Sequence, residues 1–166
     1  EAVTDAVKRD FVELLRDPHS EPRGSNMKYD LKVVATWGLG FEPTQCNPVD
    51  TQVLHWLWHP DDYQHGLKKI TRELLKRDVL ALDDVGGPLG FWDRPVEEQA
   101  LYAAAGDSRN SYDLVDALAP KLRADGLLDL YNNIERPVTP VLAEMELLGM
   151  TIDRAELTRI GIEFTE

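Results

Sequence analysis

Cysteine is nearly absent from this chain of 166 residues: Cys46 is the only one. An internal disulfide is therefore excluded, and so is a zinc centre built on thiolates. A lone thiol fits a reducing compartment such as the cytoplasm. Long apolar runs are missing too. None approaches the ~20 residues that a membrane-spanning helix requires, and no secretory signal segment is visible. Basic residues are in the minority, 18 Lys and Arg against 30 Asp and Glu, for a net charge of -12. That balance counts against a passive nucleic-acid binder, which carries a basic patch. It leaves open a nuclease whose carboxylates hold divalent metal, because a bound cation reverses the local charge. Catalytic signatures are also lacking. "GGPLG" has neither the Lys nor the helix start of a phosphate loop, and no Ser-His-Asp or Cys-His arrangement is readable.

What is present is a helical chain with material for a core. Hydrophobic residues make up 43% of the sequence, and the length suits one domain or a domain with the start of the next. The first residue is Glu1, which suggests a fragment or a processed product. "TDAVKRDFVELLRD" places Val7, Phe11, Leu14 and Leu15 at helical spacing behind an N-cap at Thr4 or Asp5. "NMKYDLKVVATWGLG" sets Met27, Leu31 and Val34 on one stripe, ended by Gly38 or Gly40. "VDTQVLHWLWHP" is a short helix closed by Pro60, with Asp50 as its simplest N-cap. "DDYQHGLKKITRELLKRD" turns Leu67, Ile70, Leu74 and Leu75 inward and its Lys and Arg outward. "VLALDDVGGPLGFWDRP" has no helical period and reads as a long loop. "VEEQALYAAAGDSRNSYDLVDALAPKLRADG" is the longest helical run, with Gly126 as its C-cap. Two further helices follow, the last capped by Asp153 with Glu156 three residues on. Strand signals are few: "VLAL" and a short piece before Asn26.

Several polar residues are candidates for chemistry. Asn26 and Asp30, four apart, would share a helix face, and an amide with an acid can hold a hydrated metal or a phosphate oxygen. Read from spacing alone, they are a capping Asn and a solvated Asp. Asp107 lies among Ala and Gly, which admit a close backbone or a ligand. Tyr102 stands five residues before Asp107, about 140° away around an α-helix, whereas four apart would put the two on one face. His55, His59 and His65 lack the spacing of a metal motif and read as surface or satisfied core histidines.

The order of these pieces carries a resemblance. "NNIERPVTPVLAEMELLGMTIDRAEL", residues 132–157, resembles the junction between exonuclease and polymerase thumb in family A DNA polymerases. There the pattern IE-P---VL--ME--G--ID---L opens the polymerase region. It stands here as Ile134, Glu135, Pro137, Val141, Leu142, Met145, Glu146, Gly149, Ile152, Asp153 and Leu157. Upstream, "GSNMKYD" is similar to the family's second exonuclease motif, "VDTQVLHWLWHP" to its FDT helix, and "YAAAGDSRNSYDLVDALAPKL" to its third motif.

The resemblance implies a 3′–5′ proofreading exonuclease of the α/β ribonuclease H-like fold, with residues 1–130 exonuclease-like and residues 131–166 beginning the polymerase domain. This segment would be mostly helical with few short strands, because the leading strands are missing. It further implies a two-metal site for Mg²⁺ or Mn²⁺, with Asp30 and Asp107 as ligands and Tyr102 orienting the attacking water. Asn26 and Tyr29 would touch the terminal nucleotides. The expected partners are DNA, as a single-stranded 3′ end or primer-template, and the remainder of the polymerase chain. No membrane is involved, and the setting would be the cytoplasm of a bacterium or a phage-infected host.

Two departures stand out. The family's leading Asp-x-Glu is absent before Asn26, since "DFVELL" lies in a helix. Counted back from "ALAPKL", Asp107 matches the family Asp and Ala103 takes the Tyr place, so Tyr102 is one residue early. A π-bulge near Gly106 would restore the shared face. The alternative is a degenerate, non-catalytic module that supports the polymerase or binds its partners. In either case the isolated segment is expected to have little or no nuclease activity.

Overall fold

A computed structural model describes residues 4–165. Its first helix, α1 (Asp5–Arg16), is capped at Thr4, whose hydroxyl accepts from the Val7 N–H. Val12 and Leu15 are its buried residues, while Val7, Phe11 and Leu14 stay exposed. The expected stripe is therefore seated only at Leu15. Val12 and Leu15 pack with Leu31, Val34, Phe41, Cys46 and Ala143, and this cluster fixes which side of α1 faces in. Phe11 and Leu14 are turned toward a cleft instead.

Strand β1 (Arg23–Gly24) pairs in parallel with β2 (Val49–Asp50), Arg23 opposite Val49 and Gly24 opposite Asp50. Between them runs α2 (Met27–Ala35), burying Met27, Leu31 and Val34 as the stripe requires. The helix ends at Ala35, before either expected glycine, and Gly38 follows in the left-handed region at φ 74°. Parallel strands need such a crossover, because a tight turn can join only antiparallel ones.

Helix α3 (Thr51–Trp58) follows β2 directly. Next is α4 (Leu67–Ile70), which continues as a π turn over Thr71–Leu75. The segment read as a long loop contains short helical turns: Leu82–Val85, α5 (Gly87–Gly90) and Phe91–Asp93. Elements of three or four residues are too short to show a period in sequence. "VLAL" forms no strand. Val79 is buried and its carbonyl accepts from Arg72, a bond made to a side chain and not to a neighbouring strand.

The long helical run exists as three pieces: α6 (Val96–Leu101), a π segment over Tyr102–Ser108 and α7 (Arg109–Ala124). Leu114, Leu118 and Leu122, at successive fourth positions, are fully buried with Val49, Leu54, Ile70 and Tyr131. Removing each such leucine from water is worth about 1.5–3 kcal/mol, so α7 is the axis on which α3 and α4 pack.

Beyond Gly126 come α8 (Leu128–Leu130), a π turn at Tyr131–Glu135, α9 (Arg136–Leu148) and α10 (Arg154–Glu163). Asp153 caps α10, accepting from the Ala155 and Glu156 N–H groups, while the Glu156 carboxylate turns to Arg159 and does not close the capping box. Helix α9 lies against α2. Glu146 pairs with Lys28 and Lys32, Thr44 donates to Glu144, and Arg136 donates to the Asn47 carbonyl at 2.8 Å. No helix among the described residues is long and apolar enough to cross a membrane.

Candidate active site

A cleft of about 770 Å³ opens between α1, the 20–25 segment, the start of α2, α4 and the π segment before α7. Asp30, Asp107 and Tyr102 all line it. Tyr102 and Asp107 reach one face because Tyr102–Ser108 is π-helical. Hydrogen bonds in a π turn run from i to i+5, so residues five apart hold the relation that four-apart residues hold in an α-helix. Lys68 demonstrates the shared face. Its ammonium lies 3.0 Å from Asp107 Oδ1 and 4.0 Å from the centre of the Tyr102 ring. The wide turn is stabilised from within. The buried Asn110 side chain donates to the carbonyls of Ala105 and Gly106 at 3.3 and 2.8 Å.

Asp30 comes from the first turn of α2, and Asp50 holds that turn in place. The Asp50 carboxylate is buried and accepts three backbone N–H groups: Asn26 at 3.0 Å, Met27 at 2.8 Å and Gln52 at 2.9 Å. It therefore caps α3, as its place in the sequence suggests, and also secures the start of α2. Burial pushes its pKa up, opposed by these backbone donors. Gly24 leaves room beside it: a Cβ there would lie 2.2 Å from Met27 Sδ and 3.9 Å from Asp30 Oδ2.

The Asp30 carboxyl is pushed up to about 6, first by burial, then by the charges of Asp50 and Asp107. The last cause means that Asp30 and Asp107 feel one another across the cleft. Two oxygen-donor side chains of like charge, one of them already neutralised by Lys68, are of the type that suits a hard divalent cation such as Mg²⁺ or Mn²⁺. The residues present thus fit the metal that such a site would take. Glu21 also lines the cleft, but it pairs with Arg23 at 2.8 Å and Arg136 at 3.6 Å.

Asn26 and Tyr29 are placed differently. Asn26 is the residue before α2, in the left-handed region at φ 62° and ψ 45°. It does not share a helix face with Asp30, because it is not on the helix. It lines a second cavity of about 320 Å³ with Asp50, Gln52 and Trp56. Tyr29 is 59% exposed.

His55 is buried, with Nδ1 2.8 Å from His65 Nδ1. Burial and the neighbouring His65 lower its pKa, which keeps the ring neutral in the core. His55, Asp62 and Glu73 bring ligand atoms within 4.8 Å of one another, yet Lys69 already pairs with both Asp62 and Glu73. A positive charge is thus built into that group. Lys68 is the cleft residue that sequence reasoning missed. Its position beside Lys69 reads as outward-facing, and no signal in its spacing separates the two.

A family model described as 3′–5′ exonuclease matches residues 2–123. The chain is 29% identical over 165 residues to DNA polymerase I of Rhizobium leguminosarum, covering 98% of this chain and 16% of that protein. It is 30% identical over 157 residues to DNA polymerase I of Chloroflexus aurantiacus, covering 90% of this chain and 16% of that one. The chain thus spans about a sixth of the length of these curated relatives. Among solved structures, one described as the apo form of the nuclease superposes with a TM-score of 0.69 at 23% identity, covering 84% of this chain and 64% of that one. NrnC of Brucella melitensis bound to pGG gives 0.68 at 24%, with the same coverage. These structural likenesses establish a shared exonuclease-like fold.

Proposed function

The chain belongs to the 3′–5′ exonuclease family found in DNA polymerase I, and from that premise we propose that its cleft removes the terminal nucleotide from a DNA 3′ end, in the proofreading part of a family A polymerase. The observation that carries this reading is the convergence of Asp30, Asp107 and Tyr102 on one cleft from two segments more than seventy positions apart. In the complete protein the fold would be the ribonuclease H-like α/β type, of which β1, β2 and α2 form one crossover. Residues 131–166 would lead into the polymerase domain.

Asp107 and Asp30 would hold divalent cations, Mg²⁺ or Mn²⁺, which supply charge stabilisation at the scissile phosphate and an activated water. The Tyr102 hydroxyl would accept a hydrogen bond from that water and aim it at phosphorus. The water oxygen would join phosphorus and give up a proton, the bond from phosphorus to the 3′ oxygen would break with that oxygen taking up a proton, and a 5′-mononucleotide would leave. Phe11 and Leu14 offer the terminal nucleotides apolar contact along the cleft wall, the place expected of Asn26 and Tyr29, which do not line the cleft. Asp107→Ala and Asp30→Ala in the full-length protein are each expected to abolish Mn²⁺-dependent shortening of a 5′-labelled single strand while leaving the fold intact. Unchanged shortening by Asp107→Ala overturns the reading.

Two observations favour a second reading, a non-catalytic module supporting the polymerase. Asp107 is paired with Lys68, and only Glu21, Asp30 and Asp107 bring carboxylates to the cleft among the described residues. Calorimetric titration with Mn²⁺ separates the two, because tight two-site binding by the full-length protein contradicts the module.

A further inference from the structure

We infer that Lys68 is the positioning residue of this cleft: its ammonium holds the Asp107 carboxylate and the Tyr102 ring together in the cation-free chain, and it yields Asp107 when a divalent cation binds. The inference rests on the exonuclease reading of the site and assigns a role that the reading does not include.

Two contacts converge on one atom. Lys68 Nζ is 3.0 Å from Asp107 Oδ1 and 4.0 Å from the Tyr102 ring centre. A cation within about 6 Å of a ring face is attracted by the ring quadrupole, so the same charge serves both partners. Phe91 packs edge-on against Tyr102, ring centres 5.5 Å apart, so two neighbours hold the ring. Lys68 is delivered by α4, whose neighbouring Ile70 is fully buried, so its backbone is anchored while its head stays free to move.

The pair is poised for exchange, not locked. Lys68 and Asp107 side chains are 26% and 44% exposed, and an ion pair of that exposure adds little to stability. A divalent cation needs the same carboxylate oxygen and carries twice the charge. Displaced from Asp107, the ammonium remains within reach of the Tyr102 ring. Lys68 therefore sets the threshold for cation entry. Removing it should tighten cation binding about fivefold, the upper end for an exposed pair.

The test is Mn²⁺ titration of the full-length protein followed by paramagnetic broadening of backbone amide signals, for the wild type, Lys68→Met, Lys68→Arg and Lys68→Met with Asp107→Asn. Lys68→Met should tighten Mn²⁺ binding about fivefold and shift the Tyr102 ring protons. Lys68→Arg should stay within about twofold of the wild type, and adding Asp107→Asn should remove the gain. Lys68→Gln serves as a second neutral variant if Lys68→Met does not fold. Broadening around Asp30 and Asp107 without any gain in either neutral variant overturns the role of Lys68 alone. No broadening there in any variant overturns the metal site itself and the inference with it.

Discussion

Asp50→Ala tests the joint on which the cleft depends. The Asp50 carboxylate is 4% exposed and accepts from Asn26 and Gln52 through Oδ1 and from Met27 through Oδ2. Alanine removes the cap of α3, worth about 1 kcal/mol. It also strands the Asn26 and Met27 N–H groups, each costing about 1–3 kcal/mol if water cannot replace the acceptor. Asn26 is exposed, so its N–H recovers part of that loss by hydration. The sum is about 3–5 kcal/mol, against a total of about 5–15 kcal/mol for a typical protein. For a chain of this size the melting temperature should fall by roughly 10 °C. Asp50→Asn keeps an acceptor at one position and sets an amide NH₂ against a donor at the other, for a loss of about 1–2 kcal/mol.

Urea unfolding followed by circular dichroism gives these differences, and amide exchange at Met27 localises them. The start of α2 carries Asp30, so loosening it should weaken Mn²⁺ binding in the molecules that remain folded. If Asp50→Ala costs less than about 1 kcal/mol with an unchanged denaturant slope, the carboxylate is not the joint and another contact holds Asp30 in place.

Two further outcomes can be measured. The Asp30 carboxyl, raised from 3.8 to about 6, should titrate near 6 by ¹³C NMR and lower in Asp107→Asn; a midpoint near 4 in the wild type contradicts the shared field. Because the folded pKa lies above the unfolded one, the stability associated with Asp30 is full below about pH 4 and is lost as pH rises through about 6, so Asp30→Asn should flatten stability across that window. The Cys46 thiol is buried and pushed up to about 11 by burial; it should resist alkylation at pH 8 until urea unfolds the chain, and prompt labelling of the native protein would contradict its burial.

Local signals carried most of the helical framework. Thr4, Asp50 and Asp153 each cap the helix their sequence position indicates, because capping needs only a side-chain oxygen two or three residues from an N–H. The Met27, Leu31 and Val34 stripe was legible for the same reason: it depends on one helix and one core. The parallel pairing of β1 with β2 depends on residues about 26 positions apart, and a two-residue strand leaves no alternation to read. The α1 stripe misled, because periodicity identifies an apolar side but not whether a core or a cleft lies opposite. Phe11 and Leu14 fell on the cleft.

The pairing of Tyr102 with Asp107 lay between these cases. A five-residue spacing conflicts with the α-helical period, and the period dominates any reading made by hydrophobic pattern. What resolves the conflict is local yet invisible to periodicity. Ala103, Ala104, Ala105 and Gly106 allow the backbone to widen without crowding, and the Asn110 amide supplies donors to the Ala105 and Gly106 carbonyls. A single added residue in such a turn rotates everything before it by about 100° relative to everything after. Without the widened turn, Tyr102 would face away from Asp107, and Lys68 could not touch both. The π turn, a type found often at functional sites, is therefore the local feature that lets this sequence, with its tyrosine one place early, keep that side chain beside the carboxylate.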